Sequence, residues 1–339
     1  MTDVGMMKAA VIHRFGGPEV VTIGNVPVPV PGKGQVRVRV VTTTVSTADW
    51  RLRSRTFPAG FAPVAGLIFG WRRPRRSILG TELAGIVDAA GPAVSRFAEG
   101  DAVVAQTGMA LGAHAEYAII AEDGPIVRRP AGLSWPEAAA MSFGGTTALH
   151  ALKTLARVAP GERVLVTGAS GAVGSAAVQI AGAFGARVTG VASAANRDVV
   201  LGLGAQEFID YLSPPILQPG SEWDVILDCV GVLGWRDARR SLAAGGRFIA
   251  VVSSLYGILG AALGGRWRGR RMFNVTTPET RAGLEALAQL IEDGAFRPLV
   301  GAVVPLDRIA EAHAMTDSGH KKGSVVVAVT SPPGEASPE

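Results

Sequence analysis

The sequence predicts a two-domain α/β protein, in which a β-barrel-like domain is followed by a doubly wound parallel sheet. Its length of 339 residues favours two domains, because single cores rarely grow beyond about 250–300 residues. Two patterns divide the chain. Short β-prone runs closed by Gly and Pro turns fill the first part, which is typical of a barrel. Strand-like runs then alternate with helical runs, which indicates parallel strands covered by helices.

The first part, up to about residue 122, has the shorter strands. Turn signals such as Gly17-Pro18, Pro31-Gly32 and Gly100-Asp101 separate them. The predicted strands are Gln35–Val41, Leu83–Ala89, Asp101–Ala105 and Ala115–Ala121. Many short strands joined by such turns predict a barrel-like β domain in this part of the chain.

The second part begins with a helix over Trp135–Ala156, where Ser134 and Glu137 form a capping box. The next helix is predicted over Ala172–Phe184, with Gly185 as its stop. The predicted strands of this part are Arg163–Thr167, Arg187–Ala192, Glu207–Asp210, Trp223–Val230 and Gly246–Val252. Buried strands alternating with helices predict a doubly wound sheet.

The last part of the chain opens with a Gly- and Arg-rich stretch over Tyr256–Arg271, which we expect to be irregular. Helices are predicted over Pro278–Asp293 and Leu306–Thr316, and strands over Val300–Val304 and Ser324–Val329. Residues 331–339 are rich in Ser, Pro, Gly and Glu and are predicted to form a flexible tail.

Charge and composition exclude several protein classes. Hydrophobic residues make up 48% and charged residues 18% of the chain, which excludes a mainly disordered protein. The net charge of +5 is too small to indicate nucleic-acid binding by itself. A single cysteine, Cys229, excludes a disulfide framework and favours a reducing compartment. Without a signal-peptide pattern or a long apolar run, we expect a soluble, cytoplasmic protein with no integral membrane segment.

Residues 164–174 carry the sharpest motif, a strand, a glycine turn and the start of a helix. Gly171 lets a pyrophosphate approach backbone amides at the helix N-terminus, and Gly174 lets the helix pack against the strand. Ala169 replaces the first glycine of G-x-G-x-x-G, but both flanks fit. The predicted contacts to the dinucleotide are Ala169, Ser170, Gly171, Ala172, Val173 and Gly174.

Two other classes use similar turns. A nucleophile elbow needs G-x-S-x-G, whereas the residue after Gly171 is Ala172. A short-chain reductase needs Tyr-x-x-x-Lys, and none of the three tyrosines has a lysine four residues later. Neither class fits, although a glycine-rich strand–helix turn in an unrelated α/β fold is a further alternative.

The residues after the second strand indicate which dinucleotide binds. An NAD site places a carboxylate about 20 residues beyond the glycines. Residues 191–197 contain no acid, whereas Ser193 can hydrogen-bond and Arg197 can pair with a 2′-phosphate. NADPH is therefore the predicted cofactor, with a merely solvated Arg197 as the alternative.

Further strings support a family resemblance. They are residues 80–87, 97–103, 115–117, 224–231 and 287–294, with Pro298. With the glycine turn, the chain up to about residue 330 resembles the medium-chain dehydrogenase/reductase superfamily, especially its zinc-independent quinone oxidoreductase and enoyl-reductase branch. The resemblance implies a GroES-like catalytic domain over residues 1–125 and 265–330, a Rossmann NADP-binding domain over residues 126–264, and a homodimer.

Alcohol dehydrogenases of this superfamily hold a catalytic zinc through a Cys and a Gly-His-Glu motif. The matching positions here are Ser46 and Thr81, and hydroxyl groups do not replace a thiolate and an imidazole on tetrahedral zinc. A four-cysteine zinc lobe is also impossible with one cysteine. We therefore predict that no metal is bound.

The resemblance also implies site residues. Ser46, Asp49 and Thr147 are the catalytic candidates, with Thr147 near the nicotinamide. A solvated helix start with structural salt bridges is the alternative for Asp49 and the nearby Arg51 and Arg53. The further cofactor contacts are Tyr211, Val230, Gly231, Val252, Ser253 and Lys321.

These inferences predict an NADPH-dependent, zinc-free oxidoreductase that transfers a hydride to a quinone or another activated carbonyl or alkene. An enoyl, ketone or alcohol reductase of secondary or lipid metabolism is the alternative among enzymes. Outside enzymes, the alternative is an NADPH-sensing, nucleic-acid-binding protein with little turnover. The expected partner is a small molecule and not nucleic acid.

Two arginine clusters leave a question open. Arg51, Arg53 and Arg55 with Arg72, Arg73, Arg75 and Arg76 form one, and Arg266, Arg268, Arg270 and Arg271 form the other. Interleaved tryptophans suit nucleic-acid bases or a membrane surface. A solvated rim is the favoured explanation, and a pair of clusters that steer anionic or lipid-like acceptors into the cleft is a further alternative.

Overall fold

A computed structural model describes residues 5–213, 215–218 and 220–332. Residues 333–339, most of the predicted flexible tail, lie outside the described residues. The helices are α1 (Thr47–Ser54), α2 (Ala62–Phe69), α3 (Trp135–Ala140), α4 (Ser142–Leu149), α5 (Ala172–Ala183), α6 (Arg197–Gly202), α7 (Trp235–Ala238), α8 (Leu255–Gly264), α9 (Arg281–Glu292) and α10 (Ile309–Asp317). In this part of the chain no helix is both long and apolar enough to cross a membrane.

The strands form two larger sheets and one hairpin. They are β1 (Met6–Ile12), β2 (Val21–Pro27), β3 (Gln35–Val45), β4 (Glu82–Ala90), β5 (Ala102–Gln106), β6 (Tyr117–Ala121), β7 (Ile126–Arg128), β8 (Arg163–Thr167), β9 (Arg187–Ala192), β10 (Glu207–Asp210), β11 (Trp223–Asp228), β12 (Leu242–Ala250), β13 (Arg266–Trp267), β14 (Arg270–Asn274), β15 (Val300–Pro305) and β16 (Ser324–Ala328).

The doubly wound sheet has the strand order β10-β9-β8-β11-β12-β14-β13. All neighbours run parallel except β13, which pairs antiparallel with β14 at the edge. The chain order reverses between β8 and β11, so the crevice outside their carboxyl ends is the expected place for a ligand. The predicted α/β fold class is confirmed.

The second sheet has the order β15-β16-β3-β4-β5-β7, and β6 also pairs with β3. β3 lies at the centre of this sheet, and neighbouring strands pair with both of its edges. Its buried valines alternate along the strand and pack in the barrel core. β16 pairs antiparallel with β3 across residues 42–45 and 325–328. The C-terminal strands therefore complete the barrel.

Strand pairing crosses both predicted domain boundaries, which stay predictions. Residues 266–274, which were assigned to the barrel domain, form β13 and β14 of the parallel sheet. Residues 126–128, which were assigned to the parallel-sheet domain, form β7 of the barrel. In both places the predicted boundary follows a Gly- or Pro-containing turn, and the strands after that turn, β7 in one case and β13 with β14 in the other, pair across it.

The predicted long helix over Trp135–Ala156 is divided into α3, α4 and a π-type stretch at His150–Ala156. The capping box at Ser134 and Glu137 is present. Gly144 on α4 lets that helix lie against the start of α5, since a Cβ there would be 2.5 Å from the Ala172 carbonyl oxygen. α4 therefore supports the predicted phosphate-binding turn from behind.

Candidate functional site

A cavity of about 670 Å³ lies between the barrel and the carboxyl ends of the parallel strands. Most of the predicted site residues meet in it. Those that line the cavity are Ser46, Ser170, Gly171, Ala172, Val173, Gly174, Ser193, Tyr211, Val230, Val252 and Lys321. Residues from seven separate stretches of the chain therefore form one site.

The glycine turn has the geometry of an anion-binding loop. Gly171 is the N-cap of α5, and no side chain caps this helix end. Its first backbone N–H groups are therefore available to an anion. Gly174 lies so close to the turn that a Cβ would be 2.1 Å from the Gly168 carbonyl oxygen. A diphosphate fits this cradle because no side chain occupies it.

Ala169 is fully buried beneath the turn and does not line the cavity. Its backbone N–H donates to the Val191 carbonyl oxygen at 3.0 Å. Gly168, one residue earlier, takes the left-handed conformation at φ +60°. The sharp bend therefore falls on Gly168, which explains why an alanine is accepted at the next position.

A polar group lies at the end of β9, beside the turn. The Asn196 Nδ2 atom donates to Ser170 Oγ at 3.1 Å and to Ser193 Oγ at 3.2 Å. The Asn196 Oδ1 atom is buried without a partner among the described residues, and Asn196 lines the cavity. An unpaired buried acceptor suits a ribose hydroxyl, which can donate to it.

Arg197 differs from its predicted role. Its side chain is exposed and does not line the cavity. The guanidinium lies 5.4 Å from the centre of the Phe208 ring, on the neighbouring β10. The arginine is thus adjacent to the ribose-binding end, with its charge outside the cavity wall.

The loop after β11 is shaped by one carboxylate. Asp228 is fully buried and accepts from Thr167 Oγ1 at 2.6 Å, Gly231 N at 3.0 Å and Leu233 N at 2.8 Å. These bonds fold the loop so that Val230 and Val232 face the cavity. Gly231 adopts φ +87° and is a turn residue outside the cavity lining.

Ser46 and Asp49 meet at the start of α1 as a capping box. Ser46 Oγ donates to Asp49 Oδ2 at 2.6 Å, and the Ser46 N–H donates to the same oxygen at 2.8 Å. The other Asp49 oxygen accepts from Gly80 N at 2.9 Å. Asp49 is fully buried and lies outside the cavity lining, where its carboxylate caps α1, so its catalytic role stays a prediction.

Thr147 and Ser253, both predicted site residues, also lie outside the cavity lining. Thr147 is buried on α4, where Phe143 supplies the cavity wall instead. Ser253 precedes the N-cap of α8. In both cases a nearby residue, Phe143 or Val252, lines the cavity in place of the predicted one.

Glu82 was missed from the sequence and lines the cavity. Its carboxylate accepts from Thr44 Oγ1, from Ser142 Oγ, and from Phe143 N at 2.6 Å. Burial raises the pKa of Glu82 above its ordinary value, and these three donors act against that rise. The carboxylate ties β3 and β4 of the barrel to the start of α4.

Lys321 reaches the cavity from the loop that precedes β16. This loop is fixed to the glycine turn, since Gly323 N donates to the Ser170 carbonyl oxygen at 2.7 Å. Burial lowers the pKa of Lys321, while the Glu82 and Asp49 carboxylates act in the opposite direction. In the described chain its ammonium group has no hydrogen-bond or ion-pair partner, so its protons face the cavity.

Other groups in or near the cavity add no metal site. Cys229 lines the wall, and burial, with the nearby Asp228, raises the pKa of its thiol above the ordinary value. His150 lies on the π-type stretch, away from the cavity. Among the described residues no cluster of His, Cys, Asp and Glu has the arrangement to hold a metal ion.

Beyond Glu82 and Asn196, the cavity is lined by Trp50 of α1, which no sequence motif indicated, and by Arg51, which the sequence places near Ser46. Asn196 stands one residue before the predicted Arg197. Its side chain is an amide, whereas the ligand expected for the ribose at this place is a carboxylate. Trp50 follows Ser46 by one helical turn, a spacing that a helix starting at residue 47 would have indicated.

Two family models match the chain. The model of an alcohol dehydrogenase GroES-like domain matches residues 32–131, and the model of a zinc-binding dehydrogenase matches residues 203–327. The quinone oxidoreductase of Sus scrofa is 32% identical over 95% of this chain and 97% of its own. The human quinone oxidoreductase is 31% identical over 92% of this chain and 94% of its own.

The fold is shared along the whole described chain. The structure of the quinone oxidoreductase from Coxiella burnetii superimposes with a TM-score of 0.85 at 26% identity, covering 96% of this chain and all of that one. The match to a GroES-like domain model falls on residues 32–131, which include β3 to β7 of the barrel sheet. The chain therefore belongs to the medium-chain dehydrogenase/reductase superfamily of oxidoreductases, in its quinone oxidoreductase branch.

Proposed function

We propose that this protein is an NADPH-dependent, zinc-free reductase that transfers a hydride to a quinone or another activated carbonyl or alkene. The observation that carries the proposal is the cavity itself. It joins an uncapped helix N-terminus at Gly171 to a wall in which Ser46 and Lys321 face the same space. Such a site suits a dinucleotide at one end and a small acceptor at the other.

The chain's own residues fit the dinucleotide. The first amides of α5 and Gly174 would hold the diphosphate, and Asn196 and Ser193 would hold the adenosine ribose. No carboxylate lies among these groups, and Arg197 is one residue away, which favours a 2′-phosphate. The bound dihydronicotinamide supplies the hydride.

The acceptor's oxygen needs a proton donor once the hydride has arrived. The Ser46 hydroxyl hydrogen is already given to Asp49, so Ser46 serves as a wall and an acceptor. The ammonium group of Lys321 faces the cavity, and its N–H groups have no partner within the described chain. We assign Lys321 as the proton donor to this oxygen. A positive charge there also stabilises the anion that develops on the acceptor.

The reaction proposed needs no Lewis acid, since quinones and enones are already electron-poor. Ser46 and Thr81 stand where zinc-dependent relatives carry a Cys and a His, and neither is a good zinc ligand. We expect turnover to survive a chelator, and purified protein to carry no stoichiometric zinc. Zinc in a one-to-one ratio, with activity lost on chelation, would contradict this.

The direct test is loss of NADPH absorbance with a panel of quinones, enones and ketones. We expect turnover with quinones or enones, and weaker turnover with NADH. Arg197→Ala should raise the Kd for NADPH by about tenfold and leave that for NADH unchanged. Arg187→Ala, at the opposite end of β9, is the matched control. Equal binding of both cofactors by the parent protein would overturn the NADPH assignment.

The same panel separates the alternatives. Turnover confined to ketones or enoyl esters would favour an enoyl, ketone or alcohol reductase. NADPH binding without turnover, together with a salt-dependent gel shift, would favour the NADPH-sensing nucleic-acid binder. We further propose a cytoplasmic homodimer, to be checked by light scattering of the purified protein.

A further inference from the structure

The basic residues of this protein are strongly segregated. Residues 50–81 and 238–278 together contain fourteen arginines and no acidic residue. The rest of the chain has 19 Lys and Arg against 28 Asp and Glu. The modest net charge of +5 therefore conceals two basic segments on an otherwise acidic protein.

Each basic segment contains an exposed apolar helix. α2 has no polar side chain, yet Val64, Leu67 and Ile68 are 48%, 65% and 45% exposed. α8 carries no charged residue, and its Leu259 is 50% exposed. Exposed apolar side chains on neighbouring helical elements indicate a surface that meets a partner.

The two segments touch. Leu255 N, at the start of α8, donates to the Ala59 carbonyl oxygen at 3.0 Å, just before α2. Gly60 lies against the Leu255 side chain, where a Cβ would be 2.7 Å away. We call the combined face, formed by α2, residues 71–76, α8 and residues 266–271, the arginine-flanked surface.

The arginines on this surface border the apolar helices and lack counter-charges. Those that are exposed are Arg72, Arg73, Arg75, Arg76, Arg266, Arg268 and Arg271. None of them forms an ion pair within the described chain. Arg239, Arg268 and Arg270 all lie within 5.2 Å of the Trp267 ring centre, which concentrates positive charge at one place.

The pattern fits a lipid surface better than nucleic acid. Bases would need free aromatic faces, but the Trp267 ring is enclosed by guanidinium groups. Trp71 packs on α2, where a Cβ on Gly66 would be 2.7 Å from the indole, and its exposed part extends the apolar surface of that helix. Leu67 and Ile68 offer nothing to a base, whereas apolar side chains bordered by arginines suit an anionic bilayer interface.

A second copy of the chain fits less well. A symmetric contact through this surface would set the unpaired arginines of one protomer against those of the other. Arginine side chains that face each other across an interface repel unless anions lie between them. The charge of the surface therefore selects an anionic partner.

The surface also adjoins the cavity. Trp50 and Arg51 line the cavity from α1, and the chain leaves α1 directly toward α2. Val252 lines the opposite wall three residues before α8 begins. We propose that the arginine-flanked surface binds the anionic face of a lipid bilayer, so that an acceptor dissolved in the bilayer can enter the cavity.

The test is co-sedimentation of the protein with vesicles, without cofactor or acceptor, so that it is independent of the proposed reaction. We expect binding to vesicles of phosphatidylcholine with one-third phosphatidylglycerol, little binding to phosphatidylcholine alone, and weaker binding in high salt. A wild-type protein that stays in the supernatant with the anionic vesicles overturns the proposal.

Charge variants sharpen the test. Arg75→Glu with Arg76→Glu should lower partitioning onto anionic vesicles by about tenfold or more. Lys153→Glu with Arg187→Glu makes the same change in net charge on exposed residues away from this surface and should bind as wild type. Equal losses in both pairs would indicate only a general charge effect and would overturn the proposed surface.

Apolar variants test the helices at constant charge. Leu67→Ser with Ile68→Ser should also weaken binding by about tenfold, whereas Val30→Ser with Val303→Ser, exposed elsewhere, should not. Circular dichroism and thermal unfolding would show that each variant is folded. Duplex DNA binding without vesicle binding, or a serine pair that only dissociates an oligomer, overturns the proposal.

Discussion

At the scale of single residues, the cavity walls are held by buried carboxylates whose oxygens already accept hydrogen bonds. Asp49 and Asp228 both accept from backbone N–H groups, and Glu82 joins the barrel to α4. A buried carboxylate that is satisfied in this way fixes the chain around it, whereas losing it leaves several donors unpaired. We expect these acids to determine the shape of the site.

Asp49→Ala is the variant that tests this role. It leaves the Ser46 N–H, the Ser46 hydroxyl and the Gly80 N–H without their acceptor, so we expect the free energy of unfolding to fall by about 2–4 kcal/mol. Urea denaturation measures it. Glu311→Ala, which removes an exposed ion pair with Arg308, should cost less than about 1 kcal/mol. A stable Asp49→Ala protein that lost only turnover would instead support a catalytic Asp49.

His313 predicts a pH dependence of stability. Its Nδ1 atom accepts from Arg53 Nε at 3.3 Å, and Arg53 also forms an ion pair with Asp317. Burial, with the nearby His114 and Arg53, lowers the pKa of His313 to about 2. Below about pH 6.5 the imidazole of His313 therefore binds a proton in the unfolded chain but not in the folded chain. The free energy of unfolding consequently falls as the pH falls.

We expect this group to cost about 1.4 kcal/mol per pH unit between pH 6 and pH 4. The measurement is the free energy of unfolding at several pH values. His313→Gln keeps an acceptor for Arg53 without the titration, so its slope should be smaller by about that amount. His13→Gln, at an exposed position, should leave the slope unchanged. Identical slopes in all three proteins would contradict the prediction.

Residues near the glycine turn could be predicted because their motif is local. Ser170, Gly171 and Gly174 follow one another in a spacing that backbone geometry dictates. Glu82 could not be found that way, because it reaches the cavity only when the barrel closes, and Lys321 was predicted only through the family resemblance. For Asp49 the sequence allows a catalytic role or a solvated helix start, and neither predicts its burial or its contact with Gly80 N, which depends on the folded barrel.

At the scale of elements, the start of α5 depends on one close approach. Gly174→Ala would place a methyl group against the Gly168 carbonyl, so the helix must shift away from the turn. We expect lower stability and at least a tenfold weaker NADPH affinity, measured by calorimetric titration. Gly182→Ala, on the same helix with open space around it, should be neutral or stabilising by up to about 1 kcal/mol. Equal effects of the two variants would exclude a special role for Gly174.

Elements with a clear period could be predicted, and those without one could not. The alternating burial of β3 and the apolar runs of β8 and β11 match their sequence patterns. The sequence predicts no helix at α2 or α8, because both are apolar throughout and contain Gly, so no face stands out. Their exposure reflects a partner surface, which periodicity does not reveal.

At the scale of the whole molecule, one hydrophobic core crosses the domain boundary. Val104 and Val127 of the barrel pack in the same cluster as Val166 and Leu227 of the parallel sheet. We therefore expect the two domains to unfold together, in a single calorimetric transition. Val104→Ala should lower the midpoint of that whole transition. Two transitions, of which only one moved, would show that the domains are independent.

The barrel is finished late in the synthesis of this chain. Residues 42–45 of β3 emerge from the ribosome early, but their partner strand begins only at Ser324. This edge of β3 lacks its native partner until β16 has been synthesised. During that time the nascent chain must keep the edge from pairing with another strand. The same late segment delivers Gly323 and Lys321 to the glycine turn. Closure of the barrel and completion of the cavity therefore depend on the same late segment. A partly translated chain that lacks this segment also lacks a complete site.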